Sequence, residues 1–155
     1  MPTWPAPAIL LGVFAFMSAI APSPAAGASE NDSCVQFSGL SQPVAQDVAG
    51  NELSSTNASQ LVIIFSTFSN PCNFDQQVVI VTEARSQDGA TVLFERVPVI
   101  AGAFNSSEIG LLWSPENAGT YELRSFALFN SDESQVLTDV QTRELLVVDY
   151  DLVDV

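Results

Sequence analysis

The side chains of this sequence that could act as acids, bases or metal ligands are mainly carboxylates. The chain has 155 residues, with 18 Asp and Glu, four Arg, and neither Lys nor His. Without His, Ser-His-Asp and Cys-His catalysis and imidazole-ligated metals are excluded. Glu83 and Glu95 fall on adjacent predicted strands and could be the acid and base of glycoside hydrolysis. Arg85 and Arg96 lie close to them in sequence, so we favour cross-strand ion pairs and expect that the protein is not an enzyme.

A second group of oxygen-bearing side chains is predicted where two loops meet. Asn73 and Asp75 follow the second predicted strand, whereas Asp132 and Glu133 follow the sixth, at the same end of the expected fold. Carboxylates and amides are the ligands that Ca²⁺ prefers, but the spacing has no EF-hand pattern. Polar loops of an acidic protein explain these residues better. We therefore expect no metal or other cofactor, and keep these four residues as the calcium alternative.

The first 28 residues have the pattern of a signal peptide. They carry no charged side chain, and residues 8–21 form an apolar run of 14, shorter than a membrane span. Ala26 and Ala28 occupy the small-residue positions of a cleavage site before Ser29. Because the N-terminal region has no Lys or Arg, an uncleaved anchor remains an alternative. We expect a secreted or cell-surface protein with a signal peptide at 1–28, a linker at 29–33, one domain at 34–150 and an acidic tail at 151–155.

The only two cysteines, Cys34 and Cys72, are expected to pair. Two cysteines in an exported chain most often form a disulfide. Antiparallel pairing of the first two predicted strands brings the start of one, at Cys34, to the loop that follows the other, at Cys72. Such a bond would contribute about 4 kcal/mol in the chain-entropy account. The lack of His and of C-x-x-C spacing argues against a metal-binding or catalytic pair.

The net charge restricts the partners. The formal charge is −14 at pH 7. Four Arg are too few to form the basic surface patch that binds nucleic acid or anionic lipid. We expect no nucleic acid and, for the cleaved chain, no membrane partner. The acid excess is typical of a solvating surface in a salty setting, although it could also attract cations. Three N-x-S sequons in predicted loops, at Asn31, Asn57 and Asn105, are candidate glycosylation sites.

Short apolar segments alternate with turn residues along the rest of the chain, which is typical of an all-β sandwich. Strands A to G are predicted at 34–37 with a continuation near 43–48, and at 60–68, 77–85, 91–100, 108–113, 120–129 and 142–150. Strand B is apolar on both faces until Ser66, as a central strand would be. Gly89 indicates a hairpin turn, and Pro98 marks an edge strand or a bulge.

Alternation along each strand assigns the two faces. In strand C, Glu83 and Arg85 are expected opposite to Val78, Ile80, Thr82 and Ala84. In strand F, the inward residues are expected to be Tyr121, Leu123, Ala127 and Phe129. In strand G, one face is expected to carry Leu146, Val148, Tyr150 and Leu152, and the other Val147, Asp149 and Asp151. These patterns predict a core between two antiparallel sheets.

The motif from Trp113 to Tyr121 is the most informative part of the sequence. Trp113 ends one predicted strand, Pro115 and Gly119 lie in the crossover, and Tyr121 begins the next strand. This arrangement fits a tyrosine corner, whose phenol bonds to the backbone a few residues upstream. Trp113 and Tyr121 could instead line a sugar-binding face, but packing at the crossover is the interpretation we favour.

With this motif, the chain from about residue 53 to 148 resembles the immunoglobulin-like and fibronectin type III-like modules of secreted proteins. It looks most like the adhesion-related, CARDB-like domains of archaeal surface proteins. The resemblance implies a single Ig-like β-sandwich of seven to eight strands. The usual disulfide between strands B and F is absent, because neither predicted strand contains Cys.

The resemblance implies a non-catalytic interaction or adhesion module whose partner is another extracellular protein or surface component. One alternative is a structural subunit of a surface layer or filament, assembled through edge strands or through the tail that alternates acidic and apolar residues. A carbohydrate-binding accessory or small secreted enzyme is the other alternative. The oligomeric state is left open.

Overall fold

A computed structural model describes residues 34–129 and 135–149. In these residues the chain forms nine β-strands: β1 (Gly39–Leu40), β2 (Val44–Gln46), β3 (Ser55–Asn57), β4 (Val62–Ser69), β5 (Gln76–Ser86), β6 (Thr91–Ala101), β7 (Ser106–Trp113), β8 (Gly119–Phe129) and β9 (Gln141–Val148). The predicted strands B to G correspond to β4 to β9. No helix within the described residues is long and apolar enough to span a membrane.

The strands form two sheets, which confirms the all-β sandwich prediction, although the described residues contain nine strands and not the expected seven to eight. In the smaller sheet β4 is central, with β1 and β2 paired on one side and β7 on the other. The larger sheet has the order β3-β9-β8-β5-β6. Every pairing between named strands is antiparallel except that of β3 with β9, which is parallel.

The prediction of a strand at 34–37 is wrong. This segment is a helical turn, in which Phe37 N–H donates to the carbonyl of Cys34 and Ser38 N–H to that of Val35, each at 3.0 Å. Because these backbone groups form hydrogen bonds within the segment, residues 34–37 do not extend the pairing of β1 with β4. The sequence also missed β3, because Ser55, Thr56 and Asn57 show no apolar alternation and their partner strand is distant in sequence.

The core lies between the sheets as two apolar clusters. One contains Trp113, Tyr121, Leu123 and Leu145, and the other contains Phe68, Ile80 and Ala127. Between them lies a buried hydroxyl bridge, in which Ser66 Oγ donates to Ser125 Oγ at 3.1 Å and Thr82 Oγ1 lies 3.2 Å from the same atom. The bridge joins β4 of one sheet to β8 and β5 of the other, and its hydroxyls satisfy one another inside an apolar core.

The faces predicted for β8 are confirmed at Tyr121, Leu123 and Ala127, which are all buried. In β9 the expected apolar face is wrong: Leu145 and Val147 are buried in the core, whereas Leu146 and Val148 are exposed. Tyr150 and Leu152 lie outside the described residues. In β5 both faces are buried, because Val79 and Val81 form a third small apolar cluster with Leu128 on the side away from the core.

The predicted hairpin joins β5 to β6. Gly89 has φ +86°, a left-handed value that favours glycine. The Ser86 hydroxyl donates to the Asp88 carboxylate, and this hydrogen bond, with that from the Ala90 backbone, lowers the pKa of Asp88. Pro98 lies on β6 at the edge of the larger sheet, where its missing N–H is tolerated.

The crossover from β7 to β8 has the geometry of a tyrosine corner. The Tyr121 hydroxyl donates to the Asn117 carbonyl at 2.8 Å, and its ring packs edge-on against Trp113 with centroids 5.3 Å apart. Pro115 is fully buried, and Gly119 has a positive φ of +150°. Trp113 and Tyr121 are only 8% and 5% exposed, so the two rings pack in the core and offer no flat platform for a sugar.

Candidate functional site

The candidate site is the end of the sandwich that we call the disulfide pole, formed by residues 34–38, 70–76 and 102–106. The predicted disulfide between Cys34 and Cys72 is confirmed, with 5.4 Å between their Cα atoms. It joins the N-terminal turn to the loop between β4 and β5. A disulfide is consistent with an extracellular protein.

Asn70 organises this pole. Its side chain is buried, and Nδ2 lies within hydrogen-bond distance of the carbonyls of Phe74, Ala101 and Gly102, at 2.8, 2.9 and 3.0 Å. Oδ1 accepts the backbone N–H of Cys72 at 2.9 Å. One amide therefore joins the β4–β5 loop to the β6–β7 turn. Sequence reasoning missed this role, because an Asn in a loop gives no signal that its side chain is buried.

Two more side chains fix the pole. Gln76 accepts a hydrogen bond from the Ser38 hydroxyl at 3.0 Å and donates to Sγ of Cys72 at 3.0 Å. Asp75 accepts the backbone N–H of Ala103 at 3.1 Å. The N-terminal turn, the β4–β5 loop and the β6–β7 turn are thus joined by hydrogen bonds as well as by the disulfide.

Two phenylalanines project from this fixed frame. Phe37 is 72% exposed and Phe104 is 74% exposed, unusually high values for aromatic side chains. The backbone N–H of Phe37 donates to Cys34, and that of Phe104 donates to Cys72 at 2.8 Å, so each is bonded to one half of the disulfide. Phe104 has φ +51°, a left-handed conformation that is costly for a bulky side chain. The only sequence signal is an apolar residue within a stretch of Gly, Asn and Ser.

The structure does not assemble the calcium alternative within the described residues. Asn73 and Asp75 are both exposed, and one Asp75 oxygen is bonded to the Ala103 amide. Asp132 and Glu133 lie outside the described residues. Among residues 34–129 and 135–149, no three Asp, Glu, Cys or His side chains are grouped closely enough to hold a metal ion.

The two carboxylates considered for glycoside hydrolysis lie on opposite faces of the larger sheet. Glu83 is paired in register with Phe94, whereas Glu95 is paired with Thr82, one position away. Because successive residues of a strand alternate in direction, the two carboxylates cannot flank one bond. Glu83 instead forms ion pairs with Arg85 at 3.0 Å and with Arg124 at 3.4 Å.

The sequons have different surroundings. Asn105 is exposed in the turn before β7, as predicted. Asn57 was predicted in a loop, but it is the last residue of β3 and pairs with Val148, since the missed strand ends there. Its side chain lies 3.4 Å from Oε1 of Gln60. Asn31 lies outside the described residues.

Comparison with known proteins supports the fold. The chain is similar to the C-terminal domain of Wzt, with a TM-score of 0.60 and 13% identity over 76% of this chain and 81% of that domain. It is also similar to the CARDB domain of a Pyrococcus furiosus protein solved in complex with di-metal ions, with a TM-score of 0.50 and 13% identity over 72% of this chain and 89% of that one.

A third similar structure is a cycloisomaltooligosaccharide glucanotransferase of Paenibacillus sp. solved with cycloisomaltoheptaose. Its TM-score is 0.56 and its identity 12%, over 70% of this chain but only 14% of the enzyme. No family model matches the sequence. No curated protein matches it either. At these identities the likeness concerns the fold alone: the chain folds as an Ig-like β-sandwich of the kind found in CARDB domains.

Proposed function

We propose that the chain is a non-catalytic, secreted or cell-surface interaction module that binds another extracellular protein through Phe37 and Phe104. The observation that carries this proposal is the exposure of both rings on a frame fixed by the disulfide, Asn70 and Gln76. Rigid aromatic side chains supply large contact areas at low entropic cost, and they are enriched at the centres of protein interfaces.

The chemistry of the pole favours a protein partner with an apolar pocket. A cleft lined by Val35, Phe74 and Phe129 has a volume of about 130 Å³, well below the size of typical ligand sites. A wider cleft of about 340 Å³ borders the pole at Gln36 and Ser38, but its lining is mainly polar, unlike the apolar walls that enclose most small ligands. Burial of one exposed Phe contributes about 1.5–3 kcal/mol. Burial of both rings would therefore supply a large part of the free energy of binding to a protein partner.

The fold neighbours are compatible with this role. Ig-like domains of this kind recur as small parts of larger proteins, as in the glucanotransferase of which this chain spans 14%. The sugar-binding alternative is weaker, since Trp113 and Tyr121 are buried.

The experiment measures binding of the labelled, disulfide-intact secreted protein to intact cells of its source culture. The Phe37→Ala/Phe104→Ala double variant should bind at least about 10-fold more weakly, because it removes the projecting rings. The matched control is Val48→Ala, which truncates a residue that is 76% exposed in the β2–β3 connection.

The control should bind as the parent protein does, and all three proteins should unfold at similar denaturant concentrations. Unchanged binding by the double variant would refute the role of the pole. Recovery of the protein only from the cytoplasm would refute the extracellular role, whereas an N-terminus at Ser29 on secreted material would support it.

A further inference from the structure

We propose that two copies of this chain associate through the outer face of the larger sheet. This outer face consists of the side chains of β5, β6, β8 and β9 that point away from the core. At its centre Val81 is in register with Arg96 on one side and with Phe126 on the other. The surface is distinct from the disulfide pole, so the inference goes beyond the proposed function.

The centre of the outer face is apolar. Val79, Val81 and Leu128 are only 4%, 1% and 8% exposed on the side opposite to the core, because neighbouring outer-face side chains such as Phe126 already pack against them. A sheet with one solvated face normally shows apolar residues on one side and polar residues on the other. The apolar area that a second copy can cover therefore lies around this cluster, at Phe94 and Leu146, which are 53% and 46% exposed.

Charge favours a second copy as the occupant. Six charged side chains on the outer face balance: Arg85, Arg96, Arg124, Glu83, Glu122 and Glu144. The face is formally neutral, and the whole charge of −14 is carried by the remainder of the chain. Two such acidic molecules repel each other least when their neutral faces meet.

The area of the face is sufficient for a dimer. β5, β6 and β8 each have 11 residues, which at about 3.3 Å per residue span about 35 Å. Strands about 4.8 Å apart give the sheet a width of about 20 Å, and hence an area of about 700 Å². Specific, stable interfaces bury about 1,200–2,000 Å² in total, or about 600–1,000 Å² from each partner, and the outer face falls within that range.

Contact between faces is also favoured over contact between edges. Pro98 interrupts the donors along β6, one edge strand of the larger sheet. At the other edge β3 is only three residues long. A closed dimer is therefore expected, and not a filament extended through these edges.

The experiment is sedimentation equilibrium of the secreted, disulfide-intact protein between about 1 µM and 1 mM. We expect a dimer whose dissociation constant falls when NaCl is raised from about 0.1 M to about 1 M, because salt screens the repulsion between the two acidic molecules. The Phe94→Ser/Leu146→Ser variant should dissociate about 100-fold more readily. The matched control is Leu61→Ser/Leu112→Ser, which changes two exposed apolar residues at the smaller sheet.

A second variant distinguishes loss of the dimer from unfolding of the chain. Arg96→Glu makes the outer face acidic without removing an apolar side chain, so it should weaken the dimer at low salt and weaken it less at high salt. A monomer at every concentration and salt would overturn the proposal. So would a dimer that dissociates in the Leu61→Ser/Leu112→Ser control but not in Phe94→Ser/Leu146→Ser. Phe37→Ala/Phe104→Ala should leave dimerisation unchanged, which separates this result from the test of the pole.

Discussion

At the scale of single residues, Phe104 shows how the tertiary frame imposes a conformation that the side chain disfavours. Its φ of +51° is maintained by the hydrogen bond from its N–H to Cys72 and by the adjoining turn from Gly102 to Asn105. Asn70 in turn holds the carbonyls of Ala101 and Gly102. Exposure of a strained aromatic residue on such a frame is typical of a functional surface.

Replacing Asn70 with Ala should lower the free energy of unfolding by about 2–4 kcal/mol. The change leaves buried carbonyls and the Cys72 amide without their partner, and unsatisfied buried groups are costly. Urea denaturation with the disulfide intact measures the effect. The matched control, Asn73→Ala, changes an exposed Asn of the same loop and should stay within about 0.5 kcal/mol of the parent. Equal losses in the two variants would contradict the role of Asn70.

At the scale of elements, β3 covers part of the edge that β9 would otherwise expose. It pairs in parallel with residues 146–148 of β9, immediately before the acidic tail. Addition of a foreign strand at this part of β9 is therefore obstructed. The tail beyond Asp149 lies outside the described residues, so its proposed role in assembly stays a prediction.

The connection from β2 to β3 contains a pH-sensitive turn. The pKa of Asp47 is lowered, chiefly by the Asn51 side chain and then by the Asn51 backbone N–H, both at 2.8 Å from its carboxylate. Since the folded pKa lies below the ordinary value of 3.8, the ionised carboxylate stabilises the fold above that pH. This contribution is lost as the pH falls through the lowered pKa.

Asp47→Asn should therefore be less stable than the parent at neutral pH, and the difference should shrink as the pH falls from about 5 to about 2. Urea midpoints measured at a series of pH values check the prediction. Glu116→Gln removes one exposed negative charge outside this turn and controls for net charge. A difference for Asp47→Asn that widened towards acid pH would reverse the assigned sign.

At the scale of the whole molecule, the charge has an uneven distribution. The outer face of the larger sheet is balanced, whereas the rest of the chain holds an excess of 14 negative charges. Mutual repulsion of these charges opposes the compact state. The apolar core and the disulfide must offset this repulsion for the chain to stay folded.

Salt should consequently stabilise the protein. Raising NaCl from about 0.1 M to about 1 M shortens the Debye length from about 10 to about 3 Å and should raise the melting temperature by about 5 °C. Calorimetry at a protein concentration below that of dimerisation measures this effect, with an uncharged osmolyte at equal osmolality as the control. A melting temperature that is unchanged or lower at high salt would contradict it.

The sequence by itself determined the sandwich class, the positions of β4 to β9, the hairpin at Gly89 and the Cys34–Cys72 pair. These features depend on alternation, turn residues and cysteine number, which are local or countable. Only the tertiary structure decided that residues 34–37 form a turn, that β3 pairs with β9, that Asn70 is buried and that the outer face is neutral. The last three features depend on contacts between residues far apart in the chain, which no local pattern records, whereas the turn at 34–37 forms by local hydrogen bonds that alternation of apolar residues does not predict.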